Sequence, residues 1–275
     1  MFIRVRSYPA VGMMGSIVTL TTDFGPGDYV AAMKGVILGI DPDLTIVDID
    51  HAIRPQDIRH GAYALYAAVP YFPFAAHVGV VDPGVGTKRR GIVAVTEGAL
   101  FVGPDNGLLI PAAKRLGLKE VRQITNRDLA LPKVSDTFQS RDLFAPVAAH
   151  LMTGAKLKDV GPIIEDFVDF DFGVPRKVKG GYEGVVITHD RFGNLITNIP
   201  RPYGEQAWGL GRKLLVTVGG YEMTVKLVRT YAEVERGEYL ATFSSSGFLE
   251  IARREGNAAA DLSVSAGTPI VATKA

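Results

Sequence analysis

The chain contains no cysteine, which excludes disulfides, thiolate metal ligands and a cysteine nucleophile. The absence fits a reducing compartment, and a cytoplasmic location is the expectation. Neither sign of charge is in excess: 30 Lys and Arg stand against 29 Asp and Glu, a formal net charge of +1. General nucleic-acid and membrane-surface binders carry a strong basic excess, so neither partner is expected. No apolar run is long enough to span a bilayer. Residues 1–15 carry Arg4 and Arg6 but neither the apolar stretch nor the cleavage-like site of a secretory signal. They read as an extension, with Met13 and Met14 as alternative starts. Familiar catalytic signatures are also missing. There is no G-x-x-x-x-G-K-[ST] phosphate loop and no G-x-S-x-G elbow, and Gly25-Pro26-Gly27 lacks the third glycine of a dinucleotide fingerprint. The histidines (His51, His60, His77, His150 and His189) form no H-x-H or H-E-x-x-H pair, so no metal site is expected.

What the chain does have is acids at turns. Four apolar runs stop at a carboxylate beside Gly or Pro: Thr22-Asp23-Phe24-Gly25, Val81-Asp82-Pro83-Gly84, Pro104-Asp105-Asn106-Gly107 and Asp190-Arg191-Phe192-Gly193-Asn194. Each reads as a strand end that delivers an acid to a loop. Together they suggest a pocket at a sheet edge.

At 275 residues and 47% hydrophobic, the chain is globular and long enough for one or two domains. Its first half alternates β and α patterns. Strands are expected at Ile17 to Thr21, Thr45 to Ile49 and His77 to Val81, and a hairpin at Ile92 to Thr96 and Leu100 to Val102. Helices are expected at Asp28 to Ile40, Gln56 to Val69, Gly107 to Leu116 and Arg141 to Met152. That alternation predicts an α/β domain with a largely parallel central sheet, whose ligands bind beyond the carboxyl ends of the strands. Beyond an aperiodic stretch the pattern turns to β, with one short helix expected at about Phe248 to Glu255. The prediction is an N-terminal α/β domain at 16–168, a linker at 169–179 and a smaller C-terminal antiparallel β-barrel domain at 180–275.

Each candidate residue has a plain reading beside a functional one. Asp23 is a helix N-cap or an acceptor for a diol such as a ribose, with Asp28 the better cap. Asp82 and Arg89 form a structural ion pair, or a pair that keeps a carboxylate ionised to orient or deprotonate water. Asp105 reads most simply as a turn residue. Asn194 and Asn198 carry amides that suit a purine edge or an amino acid. Ser244-Ser245-Ser246-Gly247 precedes the expected helix, as an N-cap or as a carboxylate site.

In order along the chain, these stretches resemble the S-adenosylmethionine hydrolases, also called S-adenosylmethionine hydroxide adenosyltransferases, relatives of the S-adenosylmethionine-dependent fluorinase and chlorinase. The resemblance runs from about Ser16 to the C-terminus. It rests on the four acid turns, Val47 to His51, Pro55-Gln56-Asp57, Ser140 to Pro146 and Ser246 to Ala252. It implies a homotrimer with active sites at subunit interfaces, and S-adenosylmethionine as substrate with no cofactor. By the same resemblance Asp23 holds the ribose hydroxyls, Asp190 the methionine ammonium, Ser245 and Ser246 its carboxylate, and Asn194 the adenine. Phe24, Gln56, Phe138, Ser140 and Phe192 complete the expected substrate site. Asp82 and Arg89 match two members of the family's Asp–Arg–His triad. The third departs: the family's Thr-Phe-His-Gly-Arg-Asp reads Thr137-Phe138-Gln139-Ser140-Arg141-Asp142. Gln139 can hydrogen-bond a water but cannot carry its proton. The fluorinase has a halide-contacting serine where this chain has Ser140, but Gln56 and the charged Asp82 stand where halogenases keep an apolar pocket. The expected reaction is hydrolysis to adenosine and L-methionine, through Asp82, Arg89 and Gln139. A halide adenosyltransferase and a non-catalytic binder are the alternatives.

Overall fold

The computed structural model describes residues 17–275, and the expected extension at 1–15 lies outside them. The chain divides into two compact units, the first ending at Asp171 and the second running Phe172–Ala275. No helix among the described residues is long and apolar enough to cross a membrane.

The first unit begins with β1 (Ile17–Thr22), α1 (Asp28–Ile40), β2 (Thr45–Asp50), α2 (Ile58–Ala68) and β3 (Ala76–Val80). It continues with β4 (Gly91–Val95), β5 (Leu100–Pro104), α3 (Ile110–Arg115), β6 (Glu120–Gln123) and α4 (Ala145–Met152). The strands form one sheet in the order β2-β1-β3-β5-β4-β6. β2, β1, β3 and β5 run parallel, and β4 is antiparallel to both its neighbours. Strands β3, β4 and β5 are buried at every position, so they read as continuous apolar runs rather than alternating ones. Helix α1 turns Val30, Met33 and Ile37 inward at helical spacing. These join Val18, Leu20, Val78, Val93 and Phe144 in the core. Because β1, β3 and β5 are parallel, the turns carrying Asp23, Asp82 and Asp105 leave the sheet at one edge. The expected β/α order and the β4–β5 hairpin are both present.

Two local expectations for this unit change. Gly27, not Asp28, is the N-cap of α1, and no side chain caps it. The helix expected at Arg141 to Met152 begins as a π-helical turn, Ser140–Phe144, before α4 takes over.

The second unit holds β7 (Arg176–Val178), β8 (Gly181–His189), β9 (Leu195–Pro200), α5 (Arg201–Ala207), β10 (Lys213–Val218) and β11 (Tyr221–Leu227). It ends with β12 (Tyr239–Phe243), β13 (Phe248–Arg253), α6 (Ala258–Asp261) and β14 (Pro269–Lys274). Strand β7 lies in the segment read as a linker. The other strands follow the order β14-β10-β11-β12-β13-β9-β8, and β14 pairs back onto β8 to close a seven-stranded barrel. Val186, Leu195, Leu214, Val216, Leu249, Ile251 and Ile270 pack in its core. The barrel is antiparallel but for β11 and β12, which run parallel at Lys226↔Leu240 and Leu227↔Ala241. Residues 228–238 make the crossover that a parallel pair requires.

The helix expected at Phe248 to Glu255 is instead β13. A short apolar run fits both periods, and Leu, Glu and Ala favour helix locally. Pairing decides: Thr242 faces Glu250 and Leu240 faces Ala252 on β12. Leu249 and Ile251 enter the barrel core, while Ala252 joins Val228, Val234 and Leu240 in a smaller cluster. With both faces covered, no strand alternation shows. Ser244 to Gly247 is therefore a hairpin turn rather than a helix N-terminus.

Candidate active site

Beyond the sheet edge of the first unit lies a cavity of about 360 Å3 lined by Asp23, Phe24, Gln56, Asp82, Gln139 and Ser140, among others. Asp82 follows β3 on a loop that bonds to itself: Val85 N donates to Asp82 O at 3.3 Å and the Thr87 hydroxyl to Gly84 O at 2.7 Å. Gly86 has φ 78°, and a Cβ there would stand 3.1 Å from Asp136 O, so the loop requires glycine. The bend returns Arg89 onto Asp82. Its guanidinium grips the carboxylate as a fork, Nε to Oδ1 at 3.1 Å and Nη2 to Oδ2 at 2.5 Å. The same Nη2 donates to Gln139 Oε1 at 2.9 Å, and Nη1 donates to Arg90 O at 3.0 Å. The guanidinium also lies 5.3 Å from the centre of the Phe144 ring. Both charged side chains are almost dry, 8% exposed for Arg89 and 6% for Asp82.

Burial pushes the Asp82 carboxyl above the usual carboxylate range. The Arg89 charge and hydrogen bonds and the Gly84 amide pull it down, and nearby Asp23 pushes it up again. The pair thus does not hold Asp82 at an ordinary pKa; desolvation outweighs it and leaves a stronger base.

Asp23 is not an N-cap. Its Oδ2 accepts Gln56 N at 2.8 Å. Gln56 sits at φ 63°, in the left-handed region that a non-glycine residue adopts only under constraint. Behind Asp23, Thr22 Oγ1 and His51 Nδ1 are 2.8 Å apart and Gly25 N donates to His51 O at 2.8 Å. Lys34 Nζ donates to Asp48 at 2.6 Å, and His51 Nε2 lies 3.1 Å from it. Phe24, Tyr29 and Phe138 pack edge-on or tilted, with centroids 5.0 to 6.2 Å apart.

Gln139 and Ser140 are presented by the π-helical turn. Asp142, fully buried, anchors that turn by accepting Ser135 N at 2.7 Å and Arg141 Nε at 2.5 Å. Burial alone would raise its pKa, but the Arg141 and Ser135 bonds win and hold it below the usual range. With Oε1 committed to Arg89, Gln139 keeps its amide NH2 as a donor.

Asp105 is more than a turn residue. Its buried carboxylate accepts Arg90 Nε at 2.9 Å, Arg90 Nη2 at 2.7 Å and Val168 N at 2.8 Å. Arg90 is the residue whose carbonyl receives Arg89 Nη1, so Asp105 braces the loop that carries Arg89. Sequence reading gave no role of their own to Arg90, His51 and Asp142. The Arg141-Asp142 pair beside Gln139 was the available signal for the last.

The predicted residues of the second unit gather elsewhere. Asp190, Phe192 and Asn194 line a cavity of about 590 Å3 with Tyr231, Arg253 and Arg254. Asp190 Oδ1 accepts the amides of Phe192 and Asn194, each at 2.9 Å, and Oδ2 accepts Asn194 Nδ2 at 2.9 Å. Phe192 is 76% exposed beside it. Asn198 instead bridges backbone, donating to Phe172 O and accepting from Val185 N. Ser245 and Ser246 line neither cavity; they sit on the β12–β13 turn, where Ser244 Oγ and Ser246 Oγ are 2.8 Å apart. Among the described residues no cluster of His, Asp and Glu is placed to hold a metal ion.

An α/β unit with an acid-lined sheet edge, followed by a closed barrel, defines a recognisable class. Residues 18–161 match the model of the SAM hydroxide adenosyltransferase N-terminal domain, and residues 184–271 that of its C-terminal domain. The chain belongs to this family. It is 41% identical over 254 residues to an (R)-S-adenosyl-L-methionine hydrolase of Salinispora tropica, covering 91% of this chain and 95% of that protein. A fluorinase of an Actinoplanes species is 30% identical over 292 residues, covering 94% and 98%. An uncharacterized conserved protein of Thermotoga maritima has a solved structure that superposes with a TM-score of 0.88 at 38% identity, covering 94% of this chain and all of that one.

Proposed function

We propose that this protein hydrolyses S-adenosyl-L-methionine to adenosine and L-methionine. Water attacks ribose C5′, the C5′–S bond breaks, and its electron pair returns to the sulfonium as a neutral thioether. The proton lost by the water passes to Asp82 and then to solvent. Such a leaving group needs no acid, so catalysis reduces to aligning and activating the nucleophile. The observation that carries the reading is the continuous Asp82–Arg89–Gln139 chain on a cavity also lined by Asp23. Asp82 is the base, Arg89 orients it, and the Gln139 amide holds the water. Asp23 takes the ribose hydroxyls, with Phe24, Gln56, Phe138 and Ser140 around the nucleoside.

In the second unit, Asp190 takes the methionine ammonium and Asn194 with Phe192 the adenine. The hydroxyls of Ser245 and Ser246 take the carboxylate. The homotrimer implied by the resemblance, with active sites at subunit interfaces, is the assembly in which the two sets meet. The substrate brings its own activated carbon, so the reaction calls for no cofactor. A cytoplasmic location suits that substrate and a cysteine-free chain.

The test is incubation of purified protein with S-adenosylmethionine, with and without halide, followed by chromatography. Adenosine that disappears in Asp82→Ala supports the reading. A 5′-halo-adenosine would replace it with halide transfer. Binding without any product would replace it with a non-catalytic role. A halide is disfavoured physically, because Asp82 and Asp23 place negative charge where the anion would sit.

A further inference from the structure

Beneath the cavity of the second unit lies a carboxylate that the proposed chemistry does not use. Glu250 is only 3% exposed. It points away from Leu249 and Ile251, its neighbours in the barrel core, toward the crossover that covers β13. That crossover is fixed. Val228 and Val234 pack against Leu240 and Ala252, and Thr230 with Glu233 forms a capping box at a short 3-10 turn, Tyr231–Glu233. The turn sets Tyr231 above Glu250, and the phenol donates to Glu250 Oε1 at 2.6 Å. The ring of Tyr231 lines the cavity beside Asp190, Asn194 and Arg253.

Of the arginines that line the same cavity, Arg254 donates to Val234 O on the crossover and Arg253 pairs with Asp261. The partners of Glu250 across the sheet, Thr242 on β12 and Ile196 on β9, carry no charge. On the crossover, Glu233 is committed to the amides of Arg229 and Thr230 at 3.0 Å each. Asp190, on the turn after β8, is the acid that acts on it electrostatically. Burial first, with Asp190 adding to it and the Tyr231 hydroxyl opposing, pushes the Glu250 carboxyl up to about 6. A cationic group bound at Asp190 cancels that repulsion and favours the ionised form.

We propose that Glu250 is a positioning residue of this cavity: it holds the Tyr231 phenol in the wall, and a cation bound beside Asp190 drives the Glu250 proton into solvent. The inference rests on the reading above, in which Asp190 receives the ammonium of S-adenosylmethionine. By linkage, affinity for that cation rises with pH through the region where Glu250 ionises.

Calorimetric titration of the intact protein with S-adenosylmethionine, near pH 6 in two buffers of different ionisation enthalpy, reads the proton directly. The wild type is expected to release protons, and its Kd to tighten about threefold between pH 5.5 and 7.5, the change that a one-unit fall from a pKa of about 6 gives over that window. Glu250→Gln is expected to abolish both effects. His189, whose ring Nδ1 lies 3.1 Å from Asp190 O, is the control, and His189→Gln should keep both. Proton release unchanged in Glu250→Gln, or lost in His189→Gln, overturns the proposal. Tyr231→Phe is the second variant should Glu250→Gln fold poorly. It removes the donor that favours the ionised carboxylate, so the window of proton release should move to higher pH, and an unmoved window also overturns the proposal. Binding without proton linkage defeats this inference alone, whereas no binding by the wild type at any pH defeats the functional reading beneath it.

Discussion

Replacing Asp82 with Asn keeps the shape of the site and removes its base, so the cost can be divided between stability and rate. The fork from Arg89 meets two carboxylate oxygens in Asp82, and Asn offers one acceptor and one NH2. Arg89 is then left with Gln139 Oε1 and Arg90 O while its side chain stays 8% exposed. Breaking a buried pair by removing one partner costs about 3–5 kcal/mol; the two surviving acceptors place this case at the lower end, about 3 kcal/mol. Thermal or denaturant unfolding should show it. Catalysis suffers more. Losing a positioned general base lowers kcat about 10²- to 10⁴-fold, with KM little changed because Asp82 meets water rather than substrate. The pH profile separates the base from a bystander. A base works ionised, and burial raises the pKa of Asp82, so the wild-type rate should fall with acid starting above the ordinary carboxylate pKa of 3.8. In Asp82→Asn that acid limb should vanish from the residual rate. Adenosine release followed by chromatography from acid to neutral pH gives both numbers. A variant that keeps kcat within about threefold and retains the limb would refute Asp82 as the base.

Other outcomes follow from the same geometry. Asp105→Ala removes the acceptor that braces Arg90, so stability should fall by about 2 kcal/mol in denaturant titration and kcat should drop through loss of Arg89 alignment. His77 is buried, 2.8 Å from Thr19 Oγ1 and stacked on Phe101, and burial lowers its pKa to about 4. Below pH 6.5 the unfolded chain takes up a proton that folded His77 refuses. Unfolding free energy should therefore decline between pH 6.5 and 4 by up to about 3 kcal/mol from this group, and a flat profile there would contradict it. Asp82→Ala and Asn194→Ala, each inactive alone, should recover activity when co-expressed, at about one quarter of the sites in a random trimer that shares sites between subunits. No recovery would place each site within one chain.

How much of this was legible depended on how far apart the partners lie. The parallel sheet was readable because Val, Ile and Ala runs of five residues alternate with helices of the α1 type, a signal local to each window. The Asp82–Arg89 fork was readable because only a short, glycine-bent loop separates the two. Asp105 does sit in a turn, as read, but its bonds to Arg90 and Val168 were not legible, because those partners come from separate elements and Asp-Asn-Gly is already good turn chemistry. The strand at Phe248–Arg253 was misread for a tertiary reason: burial on both faces erased the alternation that would have marked it. The strained backbone of Gln56 has no signal in the sequence, since glutamine is not a residue that announces a positive φ.

The four acid turns therefore look alike in sequence and differ in the fold by what already occupies their oxygens. Both oxygens of Asp190 are used by its own turn, which fixes them as a preformed anionic wall rather than a mobile group. Asp105 is spent on Arg90 and Val168. Asp23 accepts one amide and faces the cavity with capacity to spare. Asp82 is almost dry, gripped by a guanidinium and still raised in pKa, the combination that makes a carboxylate a better base without freeing it to wander. That bears on Gln139. A proton-carrying residue at that position would be indispensable if the leaving group had to be protonated or if no other base stood by. A sulfonium departs as a neutral thioether, and Asp82 stands one guanidinium away, so a side chain that only holds the water is sufficient for the chemistry. In the proposed reaction, the departure from the histidine that the resemblance implies concentrates proton transfer on Asp82 rather than abolishing it.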